Sequence, residues 1–265
     1  FALVCTFHLS GAAIGAVAPC GNHNVLGSPV NTGITLCKKA FVIGYSADKK
    51  IPVWVGYHLT KDSVLSRIER TDNFMPDDEL DIEDSAKLKN YSRTGFDRGH
   101  IAPSAAIDID TESMEESFEL SNIAPQLPKL NRAGWKKVES IVRQWAVRYG
   151  EVFVFSGTHG ELDVNNLPDD IMGSKAAIAG RIKDGGYGAA LDGRVVIPAF
   201  FYKVVLIPSE GTSFGVWMPH QNISMKQAVE YFTSVDDVES RTNLDFFDQL
   251  PLEMQERIES KTIQF

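Results

Sequence analysis

The apolar positions of this chain fall into runs with two kinds of period. Residues 38–45 (KKAFVIGY) and 51–60 (IPVWVGYHLT) are dense in Val, Ile and aromatic residues, and the polar pentapeptide 46–50 (SADKK) separates them, so the pattern predicts two strands joined by a turn. Residues 151–156 (EVFVFS) read as a further strand. Residues 199–208 (AFFYKVVLIP) read as a long buried one, with 213–218 (SFGVWM) as its hairpin partner. Between these runs the period lengthens. Residues 131–148 (NRAGWKKVESIVRQWAVR) predict a helix with Gly150 as its stop. Ser224 predicts the cap of a helix reaching about Phe232, Ser234 caps a second, and Pro251 opens a terminal helix over 251–260. The charged stretch 66–91 predicts an ordered loop with short turns, and its acidic part, 77–84, a solvated face.

Strands that pair with their neighbours in sequence predict an α+β fold rather than a doubly wound parallel sheet. No long Gly/Ser/Pro linker interrupts the 265 residues, so a single domain is expected, with a central, mainly antiparallel sheet flanked by helices. With 26 Lys and Arg against 35 Asp and Glu, the net charge is −9. A protein that grips polyanions with its whole surface is excluded, whereas a local basic groove is not. Residues 1–18 carry no charged side chain and end in the small-x-small pattern Ala16-Val17-Ala18, as the remnant of a secretory leader would. The expected division is therefore leader 1–18 and domain 19–265, with a secreted or periplasmic mature form and no membrane contact. Cys20 and Cys37 flank a loop rich in Gly, Asn and Pro that has little core of its own, and in an oxidising compartment they are expected to pair.

Several kinds of chemistry are missing from the sequence: a dinucleotide fingerprint, a Walker loop, a GxSxG elbow, an HExxH helix and a His/Cys zinc spacing. The lone Gly-rich turn at 184–188 predicts little. The informative segment is Asp97-Arg98-Gly99-His100. It sets an acid, a guanidinium and an imidazole within four residues, around a glycine that lets the backbone turn sharply or approach a ligand. His100 can accept a proton near neutral pH, and Arg98 can neutralise a phosphate oxygen. On its own such a motif reads as a surface turn with an incidental histidine. Asn131, Trp135, Glu139 and Arg143 recur every four residues along the predicted helix. That stripe reads either as a solvated face or as one wall of a site.

Together, these segments resemble the DNA/RNA non-specific endonucleases, the ββα-metal family. DRGH is similar to the signature of that family. The block 120–126 (LSNIAPQ) resembles its LSNxxPQ segment, and 130–139 (LNRAGWKKVE) its LNxxxWxxxE helix start. Residues 52–59 (PVWVGYHL) resemble the opening strand and 239–244 (ESRTNL) a C-terminal segment. The similarity runs from about residue 42 to 258.

The resemblance implies a ββα-metal motif within the α+β domain, and a sugar-non-specific endonuclease acting on DNA and RNA. One Mg²⁺, or Mn²⁺ or another divalent cation in its place, would be bound directly by Asn131, with Glu139 holding some of its waters. His100 would take a proton from the attacking water. Arg98 and Arg67, which falls where the family has an active-site arginine, would stabilise charge on phosphorus. Arg143 would help bind the phosphate or leaving group, and the products would carry 5′-phosphates. Asp97 is left without an assigned role, and Ala133-Gly134 are expected to be neutral for the chemistry. Arg93, Arg98, Lys129, Arg132, Lys136 and Lys137 are the candidates for a positive groove. The alternative is a nucleic-acid-binding relative without catalysis. The sequence leaves the oligomeric state open, a homodimer included.

Overall fold

A computed structural model describes residues 20–66, 68–163, 190–191 and 195–263. Arg67, the expected leader and the Gly-rich turn at 184–188 lie outside the described residues. The strands in chain order are β1 (Ile34–Cys37), β2 (Val42–Ser46), β3 (Ile51–Thr60), β4 (Asp97–His100), β5 (Ile123–Gln126), β6 (Glu151–His159), β7 (Ala190–Leu191), β8 (Val195–Val196), β9 (Phe200–Ile207), β10 (Thr212–Pro219) and β11 (Phe232–Thr233). The α-helices are α1 (Lys61–Leu65), α2 (Leu88–Tyr91), α3 (Ser104–Ile107), α4 (Thr111–Ser117), α5 (Lys136–Tyr149), α6 (Val235–Thr242) and α7 (Leu252–Glu259). Seven strands form one antiparallel sheet in the order β1-β2-β3-β6-β9-β10-β11, while β4 and β5 form a separate antiparallel pair. The expected α+β architecture, a single domain with an antiparallel sheet flanked by helices, is the one observed.

The central strands read as nearly continuous apolar runs because both faces of the sheet are covered. Successive residues point to opposite sides. Ile43, Val55, Val154, Phe201 and Val205 enter one core with α5. Val42, Trp54, Phe153, Phe155, Tyr202 and Val204 enter the other, with α6. On α5 the buried positions Val138, Ile141, Val142, Trp145 and Ala146 follow the helical period, and Gly150, at φ 93°, ends it as expected. The N-terminal loop is tied to β1 by the Cys20–Cys37 disulfide, as expected, across a sequence separation of 17. Closing a loop of this size is worth about 3 kcal/mol in the chain-entropy treatment.

Two local expectations are corrected. The segment after Ser224 forms only a 3₁₀ turn, Gln227–Tyr231, because the next residues leave the helical path and pair as β11 with the edge of β10. The acidic stretch is not wholly a solvated face either. Asp77 is 1% exposed, and its carboxylate meets the buried Lys38 ammonium at 3.0 Å and the Ser121 hydroxyl at 2.5 Å. Lys38 also contacts Glu79 and Glu119, each at 2.6 Å. A buried charge needs such partners, and sequence spacing does not show them.

Candidate active site

The motif blocks meet in space. In the β4–β5 pair, Asp97 lies opposite Gln126, Arg98 opposite Pro125, Gly99 opposite Ala124 and His100 opposite Ile123. The chain then enters a π-helical turn, Leu130–Trp135, that runs directly into α5. This wide turn is stabilised from outside. The Asn131 amide donates to the Leu127 carbonyl at 2.9 Å and the Gly134 amide to the Ile223 carbonyl at 3.1 Å. Leu127 in turn donates its N–H to His220 Nε2 at 2.8 Å, and Nδ1 of the same ring lies 2.7 Å from the Pro198 carbonyl. His220 is therefore a buried strut beneath the site.

Gly99 corrects an expectation. It lies within β4 and makes no turn. A side-chain carbon there would stand 2.4 Å from Gln126 Oε1 and 2.7 Å from Gln126 Cβ. The glycine thus admits the buried Gln126 side chain rather than a ligand. Gly134 is equally constrained in packing, because an added Cβ would stand 2.8 Å from Ile223 Cγ2. Gly99→Ala is expected to cost about 1–3 kcal/mol by overpacking and to pull β4 from β5. Chemical denaturation of the two proteins checks this, and an unchanged midpoint would contradict it.

His100, Asn131, Glu139 and Arg143 line one cavity of about 400 Å³, together with Arg70, Arg98 and Lys136. It adjoins a second hollow of about 700 Å³ that shares Arg70, Arg98, Asn131 and Arg132 and adds Lys89, Arg93 and Asp97. Seven cations thus face two carboxylates, which makes a positive groove on a protein of net charge −9. Of the expected groove residues, Arg93, Arg98, Arg132 and Lys136 line these hollows, whereas Lys129 and Lys137 do not.

His100 is 9% exposed. Its ring meets Phe118 edge-on at 4.9 Å and Phe74 at 5.4 Å. The same two aromatic faces carry the flanking cations, Arg98 over Phe74 at 4.1 Å and Arg70 over Phe118 at 4.8 Å. Arg70 is further fixed by Asp72 and by the Ser104 hydroxyl, at 2.5 and 2.7 Å. Burial first, then Arg70 and Arg98, push the His100 pKa down to about 3, although Asp72 opposes this. The imidazole is therefore neutral at physiological pH. Its Nε2 atom is buried and has no hydrogen-bond partner among the described residues.

Asp97 acquires a function the sequence did not assign. Its Oδ2 accepts from Asn131 Nδ2 at 2.9 Å and from Arg132 Nε at 2.8 Å, and its Oδ1 accepts from Arg132 Nη2 at 2.6 Å. A carboxylate can only accept here, so this contact fixes which end of the Asn131 amide is nitrogen and leaves the carbonyl oxygen for the cavity. Four and eight residues further along the helix stand Trp135, fully buried, and the partly buried Glu139. Beneath them Lys203 projects from the middle of β9. Its ammonium donates to Tyr57 Oη and Ser156 Oγ, both at 2.9 Å, and faces the Trp135 ring at 4.8 Å. Burial pushes the Glu139 carboxyl up, against the pull of Lys203, Arg143, Lys136 and Arg70. Arg143 Nη1 is also buried without a hydrogen-bond partner among the described residues.

A family model described as DNA/RNA non-specific endonuclease matches residues 21–253. The chain belongs to this family. It is 30% identical to Nuclease C1 of Cunninghamella echinulata var. echinulata over 84% of this chain and 86% of that protein. It is 28% identical to the Nuclease of Nostoc sp. over 90% and 85%. With the human mitochondrial Nuclease EXOG it shares 28% identity over 84% of this chain and 60% of that one. A solved complex of EndoG with EndoGI superposes with a TM-score of 0.69 at 26% identity, covering 86% of this chain and 91% of that chain.

Family membership and the relatives' names support a nuclease. The structure brings together five of the six residues expected from sequence: Arg98, His100, Asn131, Glu139 and Arg143. Arg67, the sixth, lies outside the described residues, while Arg70, three positions on, lines both hollows. Sequence reasoning missed Arg70, Phe74, Phe118 and Lys203. Only Lys203 had a visible signal, as a lone charge in the apolar run 199–208. His58, near the end of β3, lies 2.8 Å from Glu151 and stacks on Phe153 at 4.2 Å, away from this site.

Proposed function

We propose that this protein hydrolyses DNA and RNA phosphodiester bonds with one Mg²⁺ and His100 as general base, leaving 5′-phosphates. The observation that carries this reading is a neutral His100, its Nε2 unpartnered, lining the same cavity as an Asn131 whose amide nitrogen is already engaged. The donor set fits a hard cation that retains most of its waters: the Asn131 carbonyl oxygen would be the protein ligand, and the Glu139 carboxylate would orient its waters. When bound, the ion supplies Lewis-acid stabilisation of charge on the phosphoryl and leaving oxygens.

The chain's own groups do the rest. His100 Nε2 accepts the proton of the attacking water; burial keeps the imidazole in its neutral, proton-accepting form across the physiological range, and the same burial makes it a weaker base than a solvated imidazole. Arg70 and Arg98, each pinned over an aromatic face, neutralise the charge that grows on phosphorus, and Arg143 meets the phosphate from α5. Asp97 positions Asn131. Guanidinium and amide groups read phosphate rather than base edges, which supports low sequence and sugar discrimination.

We further propose export, with residues 1–18 as leader and 19–265 as the mature domain. An uncharged N-terminal stretch and the Cys20–Cys37 disulfide support this. Among the described residues, no helix is long and apolar enough to cross a membrane.

The direct test offers supercoiled plasmid and RNA to the purified protein in Mg²⁺ and in EDTA. Both substrates are expected to be degraded in Mg²⁺ and spared in EDTA. Intact substrates across several divalent metals, with the protein folded, would favour the binding-only alternative.

The depressed His100 pKa sets the pH dependence. The base stays neutral as pH falls through the ordinary histidine range near 6.5, and protonates only towards about 3. The ratio kcat/KM, which reports the free enzyme, is therefore expected to vary less than about twofold on this account between pH 8 and 5.5. An acid limb centred near 6.5 would show a solvated imidazole instead.

A further inference from the structure

On the face of the sheet opposite the nuclease cavity, α6 and α7 bring three carboxylates together. Asp236 and Glu239 come from α6 and Glu259 from the last position of α7, with one oxygen of each within 4.8 Å of the others. Acidic clusters on a surface are common and mean little. This one differs because Glu259 is 6% exposed, and its Oε1 is buried with no hydrogen-bond partner among the described residues.

None of the three carboxylates has an ion-pair partner among the described residues. Nearby cations are committed elsewhere: Arg241 pairs with Asp237 at 2.9 Å, and Lys261 donates to the Gly211 carbonyl at 2.9 Å. The charged groups that act on Glu259 are Glu239, Asp236 and Asp245, all negative. Glu239 is held in place by one oxygen, which accepts the Phe246 amide at 2.7 Å. The carbonyl end of α7 adds further negative potential beside Glu259.

A second acidic cluster among the described residues differs from this one. Asp77, Asp78 and Glu119 also converge, but there the buried Lys38 ammonium supplies the positive charge, 3.0 Å from Asp77 and 2.6 Å from Glu119. The cluster between α6 and α7 has the carboxylates without such a counter-charge.

We propose that Asp236, Glu239 and Glu259 form a second cation site, of the calcium class, that clamps α7 to α6. Ca²⁺ fits better than Mg²⁺ because it accepts several carboxylates in irregular geometry, whereas Mg²⁺ demands a near-ideal octahedron and keeps its waters. The ion would satisfy the orphan oxygen of Glu259 and remove the repulsion among the three groups. Its function is structural. It lies on the sheet face opposite His100 and Asn131, and does not depend on the proposed nuclease mechanism.

The test is thermal unfolding after chelation, with added CaCl₂, for the wild type, Glu259→Gln and Asn131→Ala. Wild type is expected to gain about 3–5 °C at a calcium concentration ten times the Kd. Asn131→Ala, which removes the proposed Mg²⁺ ligand, is expected to keep that gain. Glu259→Gln is expected to lose it while melting no lower than wild type without calcium, since a neutral amide relieves the repulsion. Should Glu259→Gln fail to fold, the exposed Asp236→Asn is expected to weaken the calcium response about tenfold in concentration. The proposal is overturned by a wild type indifferent to calcium, which would leave carboxyl groups that share a proton. It is equally overturned by a response that vanishes in Asn131→Ala and survives in Glu259→Gln, which would place the ion in the nuclease cavity.

Discussion

Replacing His100 by alanine is expected to lower kcat/KM on plasmid DNA by about 10²- to 10⁴-fold, the range a general base supplies. The size follows from the environment of this histidine. Among the described residues no other imidazole lines the cavity, and the remaining side chains there are cations, an amide, a partly buried carboxylate and small groups. The two flanking arginines and the Asn131 amide stay in place, so substrate affinity is expected to change little. Loss confined to kcat is what separates a proton acceptor from a binding residue. The variant leaves a space between Phe74 and Phe118, and added imidazole is expected to restore part of the rate. Circular dichroism and a melting curve establish that the protein is folded. A folded variant retaining more than about a tenth of the activity would remove His100 from the role, since that loss falls below the range of a general base.

Asn131→Ala is expected to cost about 10³-fold in kcat/KM, because the Lewis-acid contribution of a bound ion is worth several kcal/mol and each 1.4 kcal/mol is tenfold. The accompanying shift is an increase in the Mg²⁺ concentration needed for half-maximal rate. Asn131→Asp makes the sharper test. In the wild type Asn131 Nδ2 donates to Asp97 Oδ2 at 2.9 Å. An aspartate there sets two carboxylates against each other, and one of them must take up a proton or turn away. The variant is therefore expected to remain impaired near neutral pH although a carboxylate is a good Mg²⁺ ligand. Asp97→Asn in the same background is expected to recover part of the activity. Equal activity of Asn131→Asp and wild type would mean that the Asp97 contact does not orient the amide.

Much of the candidate site was legible because its residues come in short blocks. DRGH, LSNIAPQ and the LNRAGW helix start each combine a distinctive composition with a fixed spacing, and the structure pairs the first two as β4 and β5 and runs the third into α5. The strands were legible for a related reason. Dense Val, Ile and aromatic runs bounded by polar turns need no knowledge of partners. The β9–β10 hairpin, the Ser234 cap and the Gly150 stop all fall where local chemistry places them.

The residues that escaped were those whose meaning depends on distant neighbours. Arg70 and Phe74 lie in a charged stretch without periodicity, and nothing there announces that they will face His100. The predicted helix after Ser224 failed because an edge strand offered the chain a better set of hydrogen bonds than further helical turns. Gly99 looked like a hinge and proved to be a packing position, a difference set by Gln126 on the partner strand.

Composition and local pattern suffice to tell which chemical groups are present, which short segments become strands or helices, and, through the motif blocks, the nuclease family. How those groups behave is set by the fold. The His100 pKa follows from burial and from two guanidiniums held over Phe74 and Phe118. The orientation of Asn131 follows from a carboxylate 34 residues away in the chain. Local propensity acts over a few residues. Desolvation and Coulomb forces act through space between segments that only the fold brings together, so the proton affinity of a side chain and the direction of an amide are properties of the folded molecule.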